Sequence, residues 1–391
     1  MGKPKLYMAT TDDILSGLAT DIYFLRTRRI LEKAGLQDLL VRAEIHAYSL
    51  PEGYHWGVYA GLEEALKLLE DIDVKVYSIP EGTIFRRKDP LMVIEGRLYD
   101  FIAYETAILG ILRYSTSVAT KAARIKLAAG GDKIVLFFGL RAAHPALQPA
   151  ADRAAYIGGV DGVSGALSEA YLGLKPRGTM PHALIIAIGD QRKAWRLYAE
   201  LYAREAPVIA LVDTFLDERE EALMAARELG EILHGVRLDT PGSRRGKMRD
   251  IVEEVRWTLD IHGYKHVKIY VSGGIDEEQI QQLKDVVDGF GVGTSIAWPP
   301  NIDISMDIVE VNRNGQWIPV TKRGKLPGAR ALYECSGDRV IGLLSDPPKN
   351  CRSITRIYMR SGSVVSDLPS IDEIRRYVLN QLKALSSNEP G

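Results

Sequence analysis

Cysteine is scarce in this sequence: Cys335 and Cys351 are the only two among 391 residues. Two thiols are too few for a framework of disulfides, and by themselves too few for a zinc site with four thiolate ligands. Their number alone leaves open whether they pair with each other or stay reduced.

The sequence also lacks a charge surplus and a long apolar run. Its formal net charge is −1 at pH 7, without a long block of like charges, so neither nucleic acid nor a membrane surface is expected as a main partner. No apolar run approaches the length of a transmembrane helix, and the start, MGKPKLYMATTDD, lacks the apolar core of a signal peptide. We therefore expect a cytoplasmic protein that binds any anionic ligand in a local site.

The composition that is present has a large apolar fraction. Hydrophobic residues make up 46% of the chain and charged residues 26%, which is typical of a soluble globular protein, and the length favours two domains. The N-terminal part mixes helical and β patterns, and short β runs between residues 74 and 95 indicate a small sheet. The hairpin signal Asn314-Gly315 suggests that the tail returns to this sheet.

A different pattern begins at Lys133, after a long helical stretch that ends at Gly130 and Gly131. Runs rich in Val, Ile and Leu follow one another there, several of them alternating with helical segments: KIVLFFG, VDGVSG, HALIIAI, PVIALVD, HGVRLD, HVKIYVSGG and GFGVGT. Such a series predicts parallel strands that form a full or incomplete α/β barrel. In that architecture the residues just past each strand form the active site.

The stretch from His266 to Ile296 predicts a βαβ unit with a glycine turn after each strand. Such turns let backbone N–H groups approach an anion, and in barrel enzymes the turns after the last strands commonly hold a phosphate. Each turn alone could be an ordinary tight connection, whereas two turns one helix apart favour a phosphate clamp. The predicted clamp consists of Ser272, Gly273, Gly274, Gly291, Gly293 and Thr294.

Polar and aromatic side chains follow the other predicted strands. These candidate site residues are Phe138, Arg141, Asp161, Thr179, His182, Asp213, Arg237 and Asp239. Arg237 and Asp239 are two apart at one strand end, so their side chains are expected on the same face. A structural Arg–Asp pair, a core phenylalanine and a structural histidine are the alternatives, and Asp161 could simply cap the next helix.

Eight short motifs in order carry a resemblance to a known family. FFGLRAAHP, GGVDGVSG, GTMPHAL, LVDTFLD, VRLDTPG, VSGGID and FGVGT, with Thr20-Asp-x-Tyr23 near the start, resemble a nicotinate phosphoribosyltransferase of the compact prokaryotic type. The resemblance runs from about residue 20 to about residue 330. It implies an open-faced α+β sandwich domain over residues 1–115, an irregular incomplete α/β barrel over 116–300, and a segment over 301–391 that returns to the sandwich.

The resemblance also implies an activity in NAD salvage. The family transfers phosphoribose from phosphoribosyl pyrophosphate to nicotinate, with ATP hydrolysis coupled through a phosphorylated histidine. Nicotinate attacks through its ring nitrogen without losing a proton, so no general base is needed and none is recognisable. The alternatives are a phosphoribosyltransferase for nicotinamide or quinolinate, or a non-catalytic phosphate- or nucleotide-binding protein on the same scaffold; a dicarboxylate such as quinolinate would call for a denser basic pocket.

Carried over residue by residue, the resemblance assigns roles to the candidates. Tyr23 and Phe138 would stack on the pyridine ring, and Arg237 would lie beside the nicotinate carboxylate. Thr179 would contact nicotinate, and Asp239 would lie on the ribose or metal side. Arg141 would bind the phosphate or the leaving group, and His182 would take phosphate from ATP. Asp161 and Asp213 are weaker substrate-side candidates.

The expected cofactor is Mg²⁺, bound with phosphoribosyl pyrophosphate and ATP, with no zinc because only two cysteines stand where compact relatives can carry four. A homodimer or larger homo-oligomer is expected, in which Asp21-x-Tyr23 serves the neighbouring subunit. Two departures from the family pattern are visible: Ala142 stands where many relatives have a second basic residue, and Gly274 where many have an acidic one.

Overall fold

The computed structural model describes residues 4–243 and 246–388. Within this range the helices are α1 Thr11–Leu15, α2 Ile22–Lys33, α3 Leu62–Leu68, α4 Leu98–Phe101, α5 Glu105–Ala129, α6 Gln148–Ile157, α7 Ser168–Leu172, α8 His182–Ile188, α9 Gln191–Tyr202, α10 Glu218–Leu229, α11 Met248–Ile261, α12 Glu277–Leu283, α13 Thr294–Ala297 and α14 Ile371–Asn388. None of these helices is both long and apolar enough to cross a membrane. The sequence predicts a helical segment, RRGKMRDIVEEVRWTLDIHG, that contains α11 and begins at residues 244 and 245, which lie outside the described residues.

The strands of the described chain are β1 Leu40–Ser49, β2 Gly57–Val58, β3 Val74–Ser78, β4 Ile84–Phe85, β5 Pro90–Arg97, β6 Ile134–Phe137, β7 Gly162–Val163, β8 Val208–Leu211, β9 Leu233–Leu238, β10 Lys268–Ser272, β11 Gly289–Val292, β12 Asp303–Arg313, β13 Gln316–Pro319, β14 Arg330–Cys335, β15 Asp338–Leu343, β16 Arg352–Ser353, β17 Arg356–Arg360 and β18 Ser363–Val364. The chain divides into two compact units, Met1–Thr120 with Pro300–Gln381, and Lys121–Pro299 with Leu382–Gly391.

The first unit is built on an antiparallel sheet of seven strands in the order β13-β12-β1-β5-β3-β17-β18. Strand β1 is long and lies between β12 and β5, so a strand from the end of the chain pairs with one from its beginning. Strands β12 and β13, which come after the second unit in the sequence, thus belong to the sheet of the first unit. The large side chains buried in this unit include Ile45, Tyr59, Phe85 and Phe101.

Short-range signals account for the turns of this sheet. Asn314 and Gly315 have φ angles of 53° and 82°, both in the left-handed region that a two-residue hairpin turn requires. They join β12 to β13 with Arg313 opposite Gln316, as the Asn-Gly signal predicted. Two helices were not predicted from the sequence, α1 and the C-terminal helix α14. Helix α1 does have a local signal, because Thr10 and Asp13 cap its start reciprocally.

The two cysteines form a disulfide in this unit. Cys335 at the end of β14 is bonded to Cys351, which precedes β16, and their Cα atoms are 4.5 Å apart. Strands β15, β14 and β16 make a separate three-stranded sheet. The bond therefore links β14 to the residue before β16 at one end of that small sheet. The sequence left open whether the two cysteines pair or stay reduced, and in the structure they are paired.

The second unit contains a curled, wholly parallel sheet of six strands in the order β7-β6-β11-β10-β9-β8, resembling half a barrel. Its strands are short runs of mostly buried residues, as expected for a parallel sheet covered by helices. The βαβ unit predicted from 266 to 296 is confirmed, because β10 and β11 pair in parallel with α12 between them. Buried Trp195 on α9 donates its indole N–H to the carbonyl of Leu211 at 3.1 Å and so fixes that helix on β8.

One predicted strand is wrong. HALIIAI, residues 182–188, forms helix α8, which follows Pro181 and ends at Gly189 with a φ of 74°. A short apolar run has no periodicity that separates a buried strand from a helix. The glycine at its end is a helix C-cap signal, and this signal favours the helix over the strand.

Candidate active site

A cavity of about 880 Å³ lies within the second unit. Its size is in the range of small-molecule sites. The lining includes most of the candidates taken from the sequence, namely Phe138, Arg141, Thr179, His182, Arg237, Asp239, Ser272, Gly273, Gly274, Gly291, Gly293 and Thr294. They come from the ends of β6, β9, β10 and β11 and from the segment before α8, because the carboxyl ends of parallel strands meet at one edge of a sheet.

His182 is the first residue of α8 and is held by Asp213. Its Nε2 lies 2.9 Å from Oδ1 of Asp213, whose side chain is 2% exposed. The other carboxylate oxygen of Asp213 accepts the backbone N–H of Asp239 at 2.7 Å. Burial raises the pKa of Asp213, while His182 and the Asp239 N–H act in the opposite direction.

This contact selects a histidine tautomer. An ionised carboxylate only accepts hydrogen bonds, so the imidazole proton lies on Nε2 and the lone pair on Nδ1. Nδ1 is 4.0 Å from Oδ2 of Asp239, a residue that lines the cavity. The basic nitrogen of His182 is therefore the one that is not bonded to Asp213.

Arg237, near the end of β9, lies in a network of polar groups. Its Nη1 donates to Oγ of Ser272 at 3.0 Å and lies 3.6 Å from Oδ2 of Asp239, and its Nη2 donates to the carbonyl of Met180 at 2.9 Å. Burial lowers the pKa of Arg237; Asp239 and Asp213 oppose that effect, and the neighbouring Arg141 adds to it. A bound anion would compensate a cation in this setting.

Phe138 directly follows β6, and its ring is seated against a glycine. A Cβ atom on Gly291 would lie 2.6 Å from two carbons of the Phe138 ring, so only a glycine leaves room for the ring in this position. Arg141 follows in a 3₁₀ turn, Leu140–Ala142, and also lines the cavity. An aromatic side chain, Phe138, and a cationic side chain, Arg141, thus both follow the end of β6.

The first glycine turn contains two consecutive residues with left-handed backbone. Gly273 and Gly274 have φ angles of 86° and 69°, values that side-chain-bearing residues rarely adopt. Both glycines line the cavity directly after β10, and Gly291, Gly293 and Thr294 line the same cavity. The phosphate clamp stays a prediction.

Three candidates do not line this cavity, and one of them, Asp213, is connected to it only through its contact with His182. Asp161 instead accepts hydrogen bonds from Nζ of Lys126 at 2.7 Å and from the N–H of Val135 at 2.9 Å. Its carboxylate therefore ties the end of α5 to the start of the parallel sheet, and it does not cap a helix. Tyr23 lies on α2 in the other unit, where its side chain is 55% exposed and its ring packs on Phe24.

Several contributors were missed from the sequence. The carbonyl of Met180 is an acceptor for Arg237, and Ser164, Asp276 and Ser295 line the cavity. Fully buried Glu221 on α10 accepts the backbone N–H groups of three consecutive residues, 214 to 216, directly after Asp213. A backbone carbonyl cannot be recognised in the sequence. Glu221 could have been recognised, because it is a charged residue on a helix face that is otherwise apolar.

Among the described residues, no three His, Cys, Asp or Glu side chains are grouped so that they could hold a metal ion by themselves. Mg²⁺ is usually held by one or two carboxylates together with substrate phosphates. Asp239 and Asp276 are carboxylates in the cavity lining, so the donor set fits a magnesium ion that arrives with its substrate.

Two family models match the chain in succession. The model of the quinolinate phosphoribosyl transferase N-terminal domain matches residues 21–116, and that of the C-terminal domain matches residues 118–307. The cavity-lining residues from Phe138 to Ser295 all fall within the second match.

Among solved structures, the chain is similar to nicotinate-nucleotide pyrophosphorylase from Pyrococcus furiosus, with a TM-score of 0.93, 48% identity, and 98% and 99% of the two chains covered. It also has the fold of human nicotinic acid phosphoribosyltransferase, with a TM-score of 0.77 at 22% identity over 95% and 94% of the chains.

A curated relative, the nicotinate phosphoribosyltransferase of Bacillus subtilis (strain 168), is 30% identical over 368 residues, which cover 82% of this chain and 73% of the relative. The motifs that suggested the family are thus accompanied by similarity along most of the chain. The protein belongs to the nicotinate phosphoribosyltransferase family and is a phosphoribosyltransferase of NAD metabolism.

Proposed function

We propose that the protein forms nicotinate mononucleotide and pyrophosphate from nicotinate and phosphoribosyl pyrophosphate, with coupled ATP hydrolysis. The observation that carries this proposal is the position of Arg237, a buried cation that lines the cavity together with Phe138 and the two glycine turns. One monocarboxylate on a flat ring would satisfy the cation and the aromatic face at once.

The base is oriented by these two groups. The guanidinium of Arg237 binds the carboxylate, and the ring of Phe138 stacks on the pyridine face, which leaves the ring nitrogen free. Thr179 lies beside them in the cavity lining. Because the nitrogen attacks without losing a proton, the chain needs to orient the base and supplies no general base.

The phosphoribosyl pyrophosphate occupies the remainder of the cavity. The turns 272–274 and 291–294 bind phosphate oxygens through backbone N–H groups, and Arg141 binds the pyrophosphate that leaves. Asp239 and Asp276 would hold Mg²⁺, which when bound neutralises part of the pyrophosphate charge. In-line displacement requires the base and the leaving group on opposite sides of the anomeric carbon.

ATP acts through His182. With its proton on Nε2 and directed at Asp213, Nδ1 is the nitrogen that attacks the terminal phosphorus of ATP, releasing ADP. The phosphorylated ring would place negative charge at the edge of the cavity and order the substrate site before the bond to ribose forms. Its later hydrolysis resets the enzyme.

The remaining features of the proposal come from the sequence. Tyr23 stacks on the base bound by a neighbouring subunit, so the active form is a homodimer or larger homo-oligomer, and a cytoplasmic location is expected. The two units are the open-faced sandwich and the incomplete barrel of the family. Zinc is not expected.

Quinolinate is the second candidate base, because the two family models carry its name. Quinolinate has two adjacent carboxylates, whereas Arg141 and Arg237 are the two permanent cations among the described residues of the lining. If Arg141 binds pyrophosphate, one cation remains for the base. That count favours a monocarboxylate.

The proposal is tested by measuring mononucleotide formation from nicotinate, nicotinamide and quinolinate, with and without ATP. Arg237→Ala should abolish turnover of nicotinate under both conditions, because it removes the carboxylate anchor. His182→Ala should leave slow product formation that ATP no longer accelerates, and the parent protein alone should carry acid-labile phosphate after incubation with ATP. Preferred turnover of quinolinate by the parent would refute the choice of base, and full ATP stimulation of His182→Ala would refute the role of the histidine.

A further inference from the structure

Ser272, the last residue of β10, joins the two charged residues of β9. Its side chain is almost fully buried, with the residue 4% exposed. The hydroxyl donates to Oδ1 of Asp239 at 2.6 Å and accepts from Nη1 of Arg237 at 3.0 Å. The oxygen of one serine thus connects a carboxylate with a guanidinium.

The direction of both hydrogen bonds is determined by the charges of the partners. An ionised carboxylate can only accept and a guanidinium can only donate. The single hydroxyl hydrogen is therefore directed at Asp239, and a lone pair receives Arg237. A phosphate oxygen, which also needs a donor, would compete with Asp239 for that one hydrogen.

The bridge restrains the plane of Arg237. Nη2 is held by the carbonyl of Met180 at 2.9 Å, and Nη1 is held by Ser272, while Nε is buried without a hydrogen-bond partner among the described residues. Two fixed nitrogens define the orientation of a planar group. Without the hydroxyl, Nη1 would keep only the ion pair with Asp239 at 3.6 Å, and the plane could pivot about the bond to Met180.

We propose that Ser272 is a positioning residue: its hydroxyl orients the guanidinium of Arg237 toward the carboxylate of the base and thereby sets the preference for a carboxylate over an amide. Its side chain is not a phosphate ligand; the backbone of its turn keeps that task. The inference rests on the proposed function, since it takes the carboxylate of the base to be the group that Arg237 binds.

The experiment compares Ser272→Ala with Ser168→Ala. Ser168 is a fully buried serine of the same unit, outside the cavity lining, whose hydroxyl donates to the carbonyl of Leu174 at 2.9 Å. Both variants lose one buried hydroxyl, so thermal melts show whether they lose similar stability. KM for nicotinate and for phosphoribosyl pyrophosphate, and the ratio of kcat/KM for nicotinate over nicotinamide, are measured for each.

Ser272→Ala should raise KM for nicotinate and lower the nicotinate preference by about tenfold, as expected for a charge-assisted hydrogen bond, and leave KM for phosphoribosyl pyrophosphate within about twofold. Ser168→Ala should change neither kinetic constant. In an Arg237→Lys background the same serine substitution should have little effect, because an ammonium has no plane to orient.

Three results would overturn the inference: an unchanged nicotinate preference in Ser272→Ala, a rise in KM confined to phosphoribosyl pyrophosphate, or full additivity with Arg237→Lys. If the parent turns over no pyridine base, the proposed function fails by itself. Calorimetric titration of nicotinate into the parent and Ser272→Ala then still decides the inference, which requires weaker binding by the variant.

Discussion

Asp213→Asn should reverse the tautomer of His182. In the parent, one carboxylate oxygen contacts Nε2 of His182 and the other accepts the N–H of Asp239 at 2.7 Å. An asparagine has one oxygen and one NH₂ group, and the oxygen must stay at the Asp239 N–H, where an NH₂ group would clash. The NH₂ group then faces Nε2, which must accept, so the proton moves to Nδ1.

The expected loss follows from the bond that is exchanged. Hydrogen bonds to charged groups contribute about 1.5–3 kcal/mol, and each 1.36 kcal/mol corresponds to about a factor of ten. The ATP-stimulated rate should therefore fall by about 10- to 150-fold, and formation of the phosphorylated histidine should fall with it. The rate without ATP should change by less than about threefold, because the carboxylate anchor at Arg237 is untouched.

The matched control is Asp217→Asn, the same change four residues further along. Asp217 is exposed and caps α10 by accepting the N–H of Glu220 at 3.0 Å, a position where asparagine and aspartate are equivalent. The assay follows nicotinate mononucleotide with and without ATP, alongside acid-labile phosphate on the protein. Unreduced ATP stimulation in a folded Asp213→Asn protein would show that the tautomer argument is wrong.

Three further predictions concern stability and the base site. The Cys335–Cys351 bond spans 16 residues of sequence, so a reductant should lower the free energy of unfolding by about 3 kcal/mol. A zinc chelator should leave the melting temperature unchanged. Destabilisation by the chelator and none by the reductant would indicate a metal site. Gly291→Ala should push the ring of Phe138 aside and raise KM for the base by about 2- to 12-fold through lost stacking, and an unchanged KM would exclude the ring from the site. Burial raises the pKa of Asp152 to about 7, above its value in the unfolded chain. The free energy of unfolding should therefore fall as pH rises from about 4 to about 7, and urea titrations should show a smaller fall in Asp152→Asn. An equal dependence of the unfolding free energy on pH in both proteins would contradict this.

The local pattern was sufficient to predict most secondary structure and the edge of the sheet where the site lies. Val, Ile and Leu runs that end in glycine or in a polar residue predicted β6, β9, β10 and β11 in their parallel arrangement, because covered strands need apolar residues on both faces. Gly273 and Gly274 end one of these apolar runs, and both have the positive φ angles that glycine readily adopts. The strand predicted in place of helix α8 was wrong because the six apolar residues after His182 fit either element.

Partners distant in sequence were decided by the tertiary structure alone. Asp161 stands in the run VDGVSG that predicted a strand, yet it precedes β7, and its carboxylate accepts a hydrogen bond from Lys126, 35 residues earlier. The sequence around either residue does not show that the fold brings the two together. Ser272 looked like a phosphate ligand from its glycine turn, but the register of β10 against β9 places its hydroxyl between Arg237 and Asp239. A side chain's type is a property of the sequence, whereas the direction of its hydrogen bonds depends on which charged groups the fold places beside it.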